Sequence, residues 1–423
     1  MTAPLLALGI DFGTSGVRAA VVDPQRHLFW QYRASYPDLP APENWRQALL
    51  TLLAALPESL RGQVARVAID GTSATVMLCD QTGEPLTAPL LYNHTCLDAL
   101  GPIKALAPAH SPAASATSSL VKLRWWHQTL PDSTWVRAAH LLHQADWLSA
   151  QLHGQWGLSD YHNSLKLGYD VGCLRYPDWM LAQPWSRVLP RVVAPGEPVG
   201  PVTAAVAQRF GLSPRCQVVA GTTDSIAAFL ASGARAPGDG VTSLGSTLVI
   251  KLLSEHRVDA GEYGIYSHRL GSHWLVGGAS NSGGAVLETF FDRAALASLS
   301  QRIDPTEPSA LDYYPLVRPG ERFPINDPDL APRLTPRPQD DTAFLHGLLL
   351  GIARIEQRGY ALLAQLGASP LRQIYTCGGG ATNETWRQLR ARLMPVPIKT
   401  AASVEAAVGS AYLANWPGDF TVG

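Results

Sequence analysis

Apolar residues in the first fifth of the chain come in short runs separated by glycine, proline and polar residues. Runs of this length between turn-forming residues predict β-strands joined by tight turns. The predicted strands are residues 5–10, 17–22, 27–35, 64–70 and 74–79. Between them, apolar residues at the spacing of one helix face predict a helix over residues 44–60. Its apolar positions are Trp45, Leu49, Leu52, Leu53 and Leu56.

The pattern then changes twice along the chain. Residues 85–210 read as helical and irregular, and short strands return after residue 238. One apolar face over residues 341–366 predicts the clearest helix. The stretch "IYTCGGGATNETWRQLRARLM" predicts a strand, a triple-glycine loop and a helix that begins at Thr382 or Asn383, and "SVEAAVGSAYLA" predicts a last helix.

The turn after the first predicted strand carries candidate chemistry. Asp11 ends the apolar run, and Gly13, Thr14 and Ser15 follow it. Backbone N–H groups and hydroxyls in such a turn suit a phosphate, and a neighbouring carboxylate suits the Mg²⁺ that accompanies phosphate. The alternative is an ordinary hairpin with a surface aspartate, because aspartate and glycine are common turn formers.

A second turn repeats the first. When "GIDFGTSGVRAAVVD" is set against "VTSLGSTLVIKLLSE", the first turn falls on Gly245, Ser246 and Thr247, and an apolar strand follows in both. Two such turns about half a chain apart predict a duplicated domain with a ligand cleft between the copies. Two unrelated hairpins are the alternative.

Composition narrows the class of protein. The 423 residues exceed one ordinary core, so two domains are expected. A net charge of −1 without a basic stripe argues against a nucleic-acid partner. The five cysteines are scattered, which argues against disulfides and zinc and fits a reducing cytosol. The start lacks a basic signal-peptide region and no run would span a bilayer, so we expect a cytoplasmic protein without a membrane partner.

Several familiar catalytic motifs are absent from the sequence. There is no G-x-x-x-x-G-K-[ST], H-E-x-x-H or G-x-S-x-G. An ordered set of five short motifs is present instead: D-F-G-T-S at 11–15, G-T-T-D-S at 221–225, S-L-G-S-T at 243–247, C-G-G-G-A-T-N at 377–383 and E-A-A-V-G-S-A at 405–411. This set, which spans almost the whole chain, resembles the FGGY family of carbohydrate kinases.

The resemblance implies an α/β fold of two actin- or hexokinase-like (ribonuclease H-like) domains with a nucleotide- and sugar-binding cleft between them. It places a sugar-binding domain at residues 1–228, completed by 402–423, and a nucleotide-binding domain at residues 229–401. It also implies ATP and Mg²⁺ as cofactors. We expect a monomer or a small homo-oligomer.

The resemblance implies catalytic roles for three residues. Asp11 would face the Mg²⁺–phosphate region and hold the metal, and Thr14 would lie near the transferred γ-phosphoryl group. Asp224, in "AGTTDSIAA", would be the general base that takes a proton from the sugar hydroxyl. A helix N-cap is the alternative role for Asp224.

The nucleotide-binding residues implied by the resemblance come from both halves of the chain. They are Gly13, Thr14, Gly245, Ser246, Thr247, Gly379, Gly380, Asn383 and Trp386. Asn383 would hydrogen-bond the base and Trp386 would form an apolar wall. Core packing with Leu389 and Leu393 is the alternative for Trp386.

The sugar candidates are Ser15, Ser73 and Asp224, and cap or surface roles are the alternative for both serines. The chain looks most like the compact xylulokinase-like proteins of cyanobacteria and plants, a group that includes D-ribulose kinases. Where xylulokinases carry a Gly-Gln-Met-His-Gly stretch, this chain reads "AIDGTSATVMLCD". We therefore expect ATP-dependent phosphorylation of D-ribulose to D-ribulose 5-phosphate. The alternatives are a D-xylulose kinase, and a non-catalytic nucleotide-binding protein or slow ATPase of the same fold.

Overall fold

The computed structural model describes residues 5–36, 41–109 and 111–416, and they form two compact units. Unit one contains the described residues up to Ala231 and the segment that starts at Glu405, and unit two is Ser232–Val404. Residues 1–4, which entered the signal-peptide prediction, and residues 417–423 of the expected C-terminal segment lie outside the described residues. None of the helices in the described ranges combines the length and apolarity that a membrane span requires.

Unit one is built on a mixed sheet. Its described strands are β1 (Leu6–Phe12), β2 (Gly16–Val22), β3 (Leu28–Ser35), β4 (Val64–Gly71), β5 (Val76–Cys79), β6 (His140–His143), β7 (Leu158–Asp160), β8 (Arg191–Val193), β9 (Pro198–Pro201), β10 (Gln217–Val219) and β11 (Thr222–Thr223). The large sheet has the order β3-β2-β1-β4-β10-β9, and β11 pairs with β4 beyond β10. Strands β1, β2 and β3 are antiparallel neighbours, whereas β4, β10 and β11 run parallel to β1.

The helices of unit one lie between and after its strands along the chain. They are α1 (Pro42–Ala55), α2 (Glu58–Arg61), α3 (Leu97–Leu106), α4 (Ser119–Thr129), α5 (Asp132–Trp135), α6 (Gln144–His153), α7 (Tyr161–Ser164), α8 (Asp178–Leu181), α9 (Ala204–Phe210), α10 (Asp224–Ala231) and, at the end of the chain, α15 (Ala406–Ala414). All seven residues of β1 are buried, as expected for a central strand covered on both faces. A Cβ at Gly9 would lie 2.0 Å from the carbonyl oxygen of Ala407, so glycine lets α15 pack directly on β1.

Unit two has a sheet with the order β14-β15-β13-β12-β16-β17. Its described strands are β12 (Asp239–Leu244), β13 (Leu248–Ser254), β14 (His268–Leu270), β15 (His273–Ala279), β16 (Gln373–Cys377) and β17 (Ile398–Thr400). Its helices are α11 (Gly284–Phe290), α12 (Arg293–Arg302), α13 (Asp341–Gln365) and α14 (Glu384–Leu393).

The two units share one topology. In unit one the strands β3, β2 and β1 are antiparallel, and β4 then joins β1 in parallel. In unit two β15, β13 and β12 are antiparallel, and β16 then joins β12 in parallel. The β1–β2 and β12–β13 hairpins are therefore equivalent, and the predicted duplication is confirmed.

The prediction of one helix over residues 44–60 is wrong at its C-terminal end. Helix α1 ends at Ala55, and Leu56 adopts φ −60° and ψ 127°. A residue that precedes proline is disfavoured in the helical region, and Pro57 follows Leu56. The chain therefore leaves the helix at Leu56 and begins the short helix α2 at Glu58.

Candidate active site

The first polar turn connects β1 to β2. Thr14 and Ser15 are exposed, and the N–H of Gly13 donates to the carbonyl oxygen of Gly16 over 3.0 Å. The expectation that the Gly13 N–H is available to a phosphate is therefore wrong, because this hydrogen bond closes the turn. The turn can still present the hydroxyls of Thr14 and Ser15 to a ligand.

Asp11, the next-to-last residue of β1, lies beside a second aspartate, which the sequence analysis missed. Asp70 is the direct neighbour of Asp11 in the parallel pairing of β1 with β4, and each carboxyl group shifts the pKa of the other. Asp70 is fully buried, and its Oδ2 atom accepts a 2.5 Å hydrogen bond from the Ser410 hydroxyl of α15. Burial raises the pKa of Asp70 well above its ordinary range, and the negative charges of Asp11 and Asp224 raise that pKa further. Of the two carboxyl groups, Asp70 therefore favours the protonated, neutral form more strongly.

Arg18 is a second residue that sequence reasoning did not single out. It lies on β2 opposite Asp11, and its Nη1 atom is 3.0 Å from Asp11 Oδ2. Its Nε atom is 3.4 Å from the carboxylate of Glu405. Burial raises the pKa of Asp11, whereas the neighbouring Asp70 and the guanidinium of Arg18 oppose that rise. Arg18 is thus a half-buried cation beside the polar turn, paired with two carboxylates. The sequence did offer a signal for Arg18, because it is the only positively charged residue in the "GTSGVR" stretch.

Asp224 belongs to the same edge of the unit-one sheet. Strand β11 pairs with the end of β4, with Thr222 opposite Asp70, and Asp224 follows β11 directly as the first residue of α10. Its carboxylate accepts a 2.7 Å hydrogen bond from the backbone N–H of Ser225, and the residue is half-buried. The N-terminal end of a helix stabilises a negative side chain. The position of Asp224 is therefore compatible with both predicted roles, the residue at the N-terminus of a helix and the general base.

The structure brings most of the predicted unit-one residues to one place. Asp11, Asp70 and Asp224 stand at the carboxyl ends of the parallel strands β1, β4 and β11. Ser73 follows β4 in a tight turn and is half-buried, while Ser15 lies in the turn after β1. Ligands of open α/β sheets bind outside the carboxyl ends of the strands. This sheet edge is therefore the candidate site of unit one.

The second polar turn, Gly245 to Thr247, connects β12 to β13. Its carbonyl oxygens are engaged, since the N–H of Gly284 donates to Gly245 and the N–H of Ala285 donates to Ser246. A Cβ at Gly283 would lie 2.7 Å from the Ser246 oxygen, so glycine allows this close approach to the start of α11. With its carbonyls fixed against α11, the turn exposes Ser246.

A cavity of about 790 Å³ adjoins this turn within unit two. The residues that line it and that the sequence singled out are Gly245, Ser246, Gly379, Gly380, Asn383 and Trp386. A Cβ at Gly379 would meet no atom within 4 Å, whereas one at Gly380 would lie 2.5 Å from the Trp386 ring. The volume lies within the range of small-molecule and cofactor sites. Thr247 is not among the lining residues.

Asn383 and Trp386 have structural partners as well as cavity positions. The side-chain oxygen of Asn383 accepts from the backbone N–H of Trp386 over 2.9 Å, and its amide nitrogen donates to Ser300 over 2.8 Å. Asn383 is thus the N-cap of α14, one of the two caps predicted. Trp386 is 2% exposed and packs with the core of unit two, and its Nε1 donates to the carbonyl oxygen of Leu349. Only an edge of the indole is therefore available as a cavity wall.

The described ranges contain no group of three or more histidine, cysteine, aspartate or glutamate side chains able to hold a metal ion. Asp11 can supply one carboxylate, with its side chain 4% exposed. Mg²⁺ commonly uses one or two protein carboxylates together with water and substrate phosphates. The residues present therefore fit a magnesium ion that arrives with a phosphate ligand, and they do not form a dedicated metal cage.

The duplicated topology and the equivalent polar turns define an α/β protein of two actin- or hexokinase-like domains. Comparison with known proteins gives the family: the N-terminal domain of the FGGY family of carbohydrate kinases matches residues 6–231, and the C-terminal domain matches residues 240–417. The chain belongs to the FGGY family of carbohydrate kinases, and the predicted resemblance is confirmed.

Relatives and solved structures agree with this assignment. The xylulose kinase of Lactococcus lactis is 24% identical over 91% of this chain and 82% of its own length. The crystal structure of a xyloylose kinase from Brucella ovis has a TM-score of 0.83 at 22% identity, over 97% of this chain and 90% of that one. Plasmodium falciparum glycerol kinase with ADP has a TM-score of 0.80 at 15% identity, over 96% and 88% of the two chains. At these identities the solved structures support the fold.

Proposed function

We propose that the chain transfers the γ-phosphoryl group of ATP to a ketopentose, with D-ribulose as the first candidate and D-ribulose 5-phosphate as the product. The observation that carries the proposal is the grouping of Asp11, Ser73 and Asp224 at one sheet edge of unit one. A kinase of a small sugar needs a proton acceptor, a polar partner for the sugar hydroxyls and a carboxylate for the metal–phosphate group.

Asp224 supplies the proton acceptor. The hydroxyl oxygen at C5 of the ketose forms a bond to the γ-phosphorus, while the bond from that phosphorus to the β–γ bridging oxygen breaks and ADP leaves. The hydroxyl proton passes to the carboxylate of Asp224. A weakly basic carboxylate suffices because the transition state of phosphoryl transfer is loose, so the proton leaves late.

Asp11, Thr14 and Arg18 act on the phosphate side of unit one. Mg²⁺, when bound, neutralises charge on the phosphate oxygens. Asp11 would supply a carboxylate to that metal, and the Thr14 hydroxyl would steady a phosphoryl oxygen. Arg18 adds a cation 3.0 Å from Asp11, where negative charge spreads over the transferred group.

Unit two supplies the ATP site. The cavity beside the Gly245–Thr247 turn has room for a base and ribose, and Gly379 and Gly380 let that ligand approach the backbone. The turn offers its hydroxyls to the phosphates. The presence of ADP in the related glycerol kinase structure supports a nucleotide as the ligand.

The choice of D-ribulose rests on the turn after β4. This chain carries "GTSATV" where xylulokinases carry a Gln-Met-His stretch, which leaves Ser73 as a small polar contact. D-xylulose is the alternative, favoured by the relative named xylulose kinase. A nucleotide-binding protein with only slow ATP hydrolysis is the other alternative, and the three aspartates of the unit-one site weigh against it.

The test of the sugar assignment is an ADP-release assay with D-ribulose, D-xylulose and glycerol on the parent protein and on Ser73→Ala. We expect the highest kcat/KM for D-ribulose. A lost hydrogen bond is worth about 1–3 kcal/mol, so Ser73→Ala should lower that kcat/KM roughly 5- to 150-fold with the KM for ATP unchanged. Ser59→Ala, at an exposed serine of α2, is the control. A better rate with D-xylulose or glycerol would reject D-ribulose and leave sugar phosphorylation standing.

A further inference from the structure

The turn that carries Ser73 contains a strained residue. The N–H of Thr75 donates to the carbonyl oxygen of Thr72 over 3.2 Å, which closes a four-residue turn. Ala74, at the third position, has φ +63°. Glycine or asparagine normally occupies this position of a type II turn, because a Cβ is disfavoured in the left-handed region. Some other part of the molecule must therefore hold the turn in this conformation.

A chain of buried hydroxyls fixes the two ends of the turn. The backbone N–H of Tyr92 donates to Thr75 Oγ1 over 3.0 Å, and the two threonine hydroxyl oxygens are 2.6 Å apart. The Thr72 hydroxyl and the Thr72 N–H then both donate to Gln144 Oε1, over 3.0 and 3.1 Å. Each hydroxyl proton has one direction available, so the chain runs from Tyr92 through Thr75 and Thr72 to Gln144.

Lys122 holds the middle of the turn. Its side chain is fully buried, and Nζ donates to the carbonyl oxygens of Ala74, over 2.7 Å, and Leu91, over 2.6 Å. The first of these bonds ends on the strained residue itself. The second ends on the segment after residue 90, whose neighbour Tyr92 begins the hydroxyl chain. One amine thus joins the strained turn to the loop beside it.

The helix that carries Lys122 is fixed to the helix that carries Gln144. Ser119, one turn before Lys122 on α4, has its hydroxyl 3.1 Å from His143 Nε2, and His143 Nδ1 is 2.9 Å from the Asp146 carboxylate. His143 and Ser119 are fully buried, and His143 directly precedes Gln144. These hydrogen bonds hold Lys122 and Gln144, the two clamp residues of the turn, at a fixed separation.

We propose that Lys122 is a positioning residue for the sugar site, which holds Ala74 left-handed and thereby sets the direction of the Ser73 side chain. The proposal rests on the proposed function of Ser73. Thr72, Ala74 and Thr75 are buried, and Ser73 is the one half-buried residue of the turn. The clamp residues hold the buried part of the turn in place. Only Ser73 can pass this effect on to a bound sugar, because it is the residue of the turn that is partly exposed.

A nucleophilic role for the amine is incompatible with its surroundings. Burial lowers the pKa of Lys122 to about 7, which would favour attack on a carbonyl carbon if the amine were accessible. The side chain is 0% exposed, however, and the two hydrogens of a neutral amine match its two carbonyl acceptors. The amine therefore acts on the backbone of the turn and not on a substrate.

The test replaces Lys122 with methionine, which keeps the length of the side chain and removes its donors. Hydrogen exchange of the amides in residues 72–76 should become at least about tenfold faster, the factor expected when a hydrogen bond of a buried group is lost. Residues 373–377, the strand β16 of unit two, are the internal control and should not change. This measurement needs no sugar turnover, so it tests the clamp even if the proposed function fails.

The kinetic arm separates positioning from general stability. Lys122→Met should raise the KM for the ketose by about tenfold or more and leave the KM for ATP within twofold, because the contacts of Lys122 are with the Ser73 turn and the loop beside it in unit one, and the proposed ATP cavity lies in unit two. Lys104→Met removes an exposed lysine from α3 and should change neither value. If Lys122→Met does not fold, Lys122→Gln keeps amide donors on a shorter side chain and should show the same selective rise at smaller size.

Two results would overturn the proposal. One is unchanged exchange at residues 72–76 in a folded Lys122 variant. The other is an equal rise of both KM values, which indicates a general loss of structure. Absence of ketose-dependent ADP formation in the parent protein would instead reject the proposed function. The hydrogen-exchange result would then still test whether Lys122 holds the turn.

Discussion

Asp11 and Asp70 are direct neighbours near the ends of two paired parallel strands, and each carboxyl group shifts the pKa of the other. Burial raises the pKa of the fully buried Asp70 well above its ordinary range, so Asp70 favours the neutral form. Asp11 in turn pairs with Arg18. The pair therefore presents a single negative charge at the sheet edge, where two bare carboxylates would repel each other. One carboxylate is what a magnesium ion carried by ATP requires.

Asp11→Ala should weaken the use of magnesium. Contacts to charged groups are worth about 1.5–3 kcal/mol, so the Mg²⁺ concentration for half-maximal activity should rise about tenfold or more. Sugar binding measured without metal should not change. Asp259→Ala is a matched control, since Asp259 pairs with Arg257 at the surface of unit two. Full activity of Asp11→Ala at limiting Mg²⁺ would count against the metal role.

Asp224→Asn should abolish most of the sugar phosphorylation. The amide keeps the size of the side chain and its N-terminal position on α10, but it cannot accept the proton. Loss of a general base costs about 10²- to 10⁴-fold in rate. ATP affinity and thermal stability should stay close to those of the parent. Asp178→Asn is the control, because Asp178 is also the first residue of a unit-one helix and is exposed. Near-normal turnover in folded Asp224→Asn would remove Asp224 from the mechanism.

Gly379→Leu should block the unit-two cavity without loss of stability. A Cβ at Gly379 meets no atom within 4 Å, so the new side chain enters the space proposed for the nucleotide. Overpacking costs about 1–3 kcal/mol, which corresponds to a rise of about 5- to 150-fold in the KM for ATP. The KM for the ketose should not change. Gly380→Ala gives the opposite pattern, because its Cβ would lie 2.5 Å from Trp386 and should lower the melting temperature. An unchanged KM for ATP in Gly379→Leu would place the nucleotide elsewhere.

The buried amine of Lys122 predicts a pH-dependent stability. Burial lowers its pKa to about 7 in the folded protein, with Lys166 adding to the effect and Cys96 opposing it, whereas the unfolded chain keeps the ordinary lysine value of about 10.4. Between these values the unfolded chain binds more protons, so the contribution of Lys122 to stability rises from pH 7 to pH 10 and is lost as the pH falls through 7.

Urea unfolding at pH 6.5, 8 and 9.5 checks this sign. The free energy of unfolding of the parent minus that of Lys122→Met should become more favourable as the pH rises, by up to a few kcal/mol on the scale of about 1.4 kcal/mol for each pKa unit. Other titrating groups cancel in the difference. A difference independent of pH would contradict this, because it would show that the amine carries the same charge in the folded and unfolded states.

The sequence alone predicted local features well and relations across the sheet poorly. The two hairpin turns and the Asn383 cap depend on residues close in sequence, so the pattern of glycine and hydroxyl residues was enough to identify them. Asp70 was missed because its importance comes from the pairing of β1 with β4, which joins residues about sixty positions apart.

Lys122 shows the same limit. In the sequence it is one cation in a helix with several apolar residues, which is the usual pattern of a surface lysine. Its burial depends on the carbonyl oxygens of Ala74 and Leu91, from two separate segments. The break at Pro57, in contrast, was readable from the sequence, because residues before proline avoid the helical region. The roles of the site residues in catalysis stay predictions.

The most direct test of the central claim is the stoichiometry of ADP and sugar phosphate, measured on one sample by coupled ADP release and by mass spectrometry of the sugar. With D-ribulose, Mg²⁺ and ATP, the account predicts one D-ribulose 5-phosphate for each ADP, and ADP formation that is slow without the sugar. Formation of ADP at the same rate with and without any ketose or polyol, and without a sugar phosphate, would contradict it.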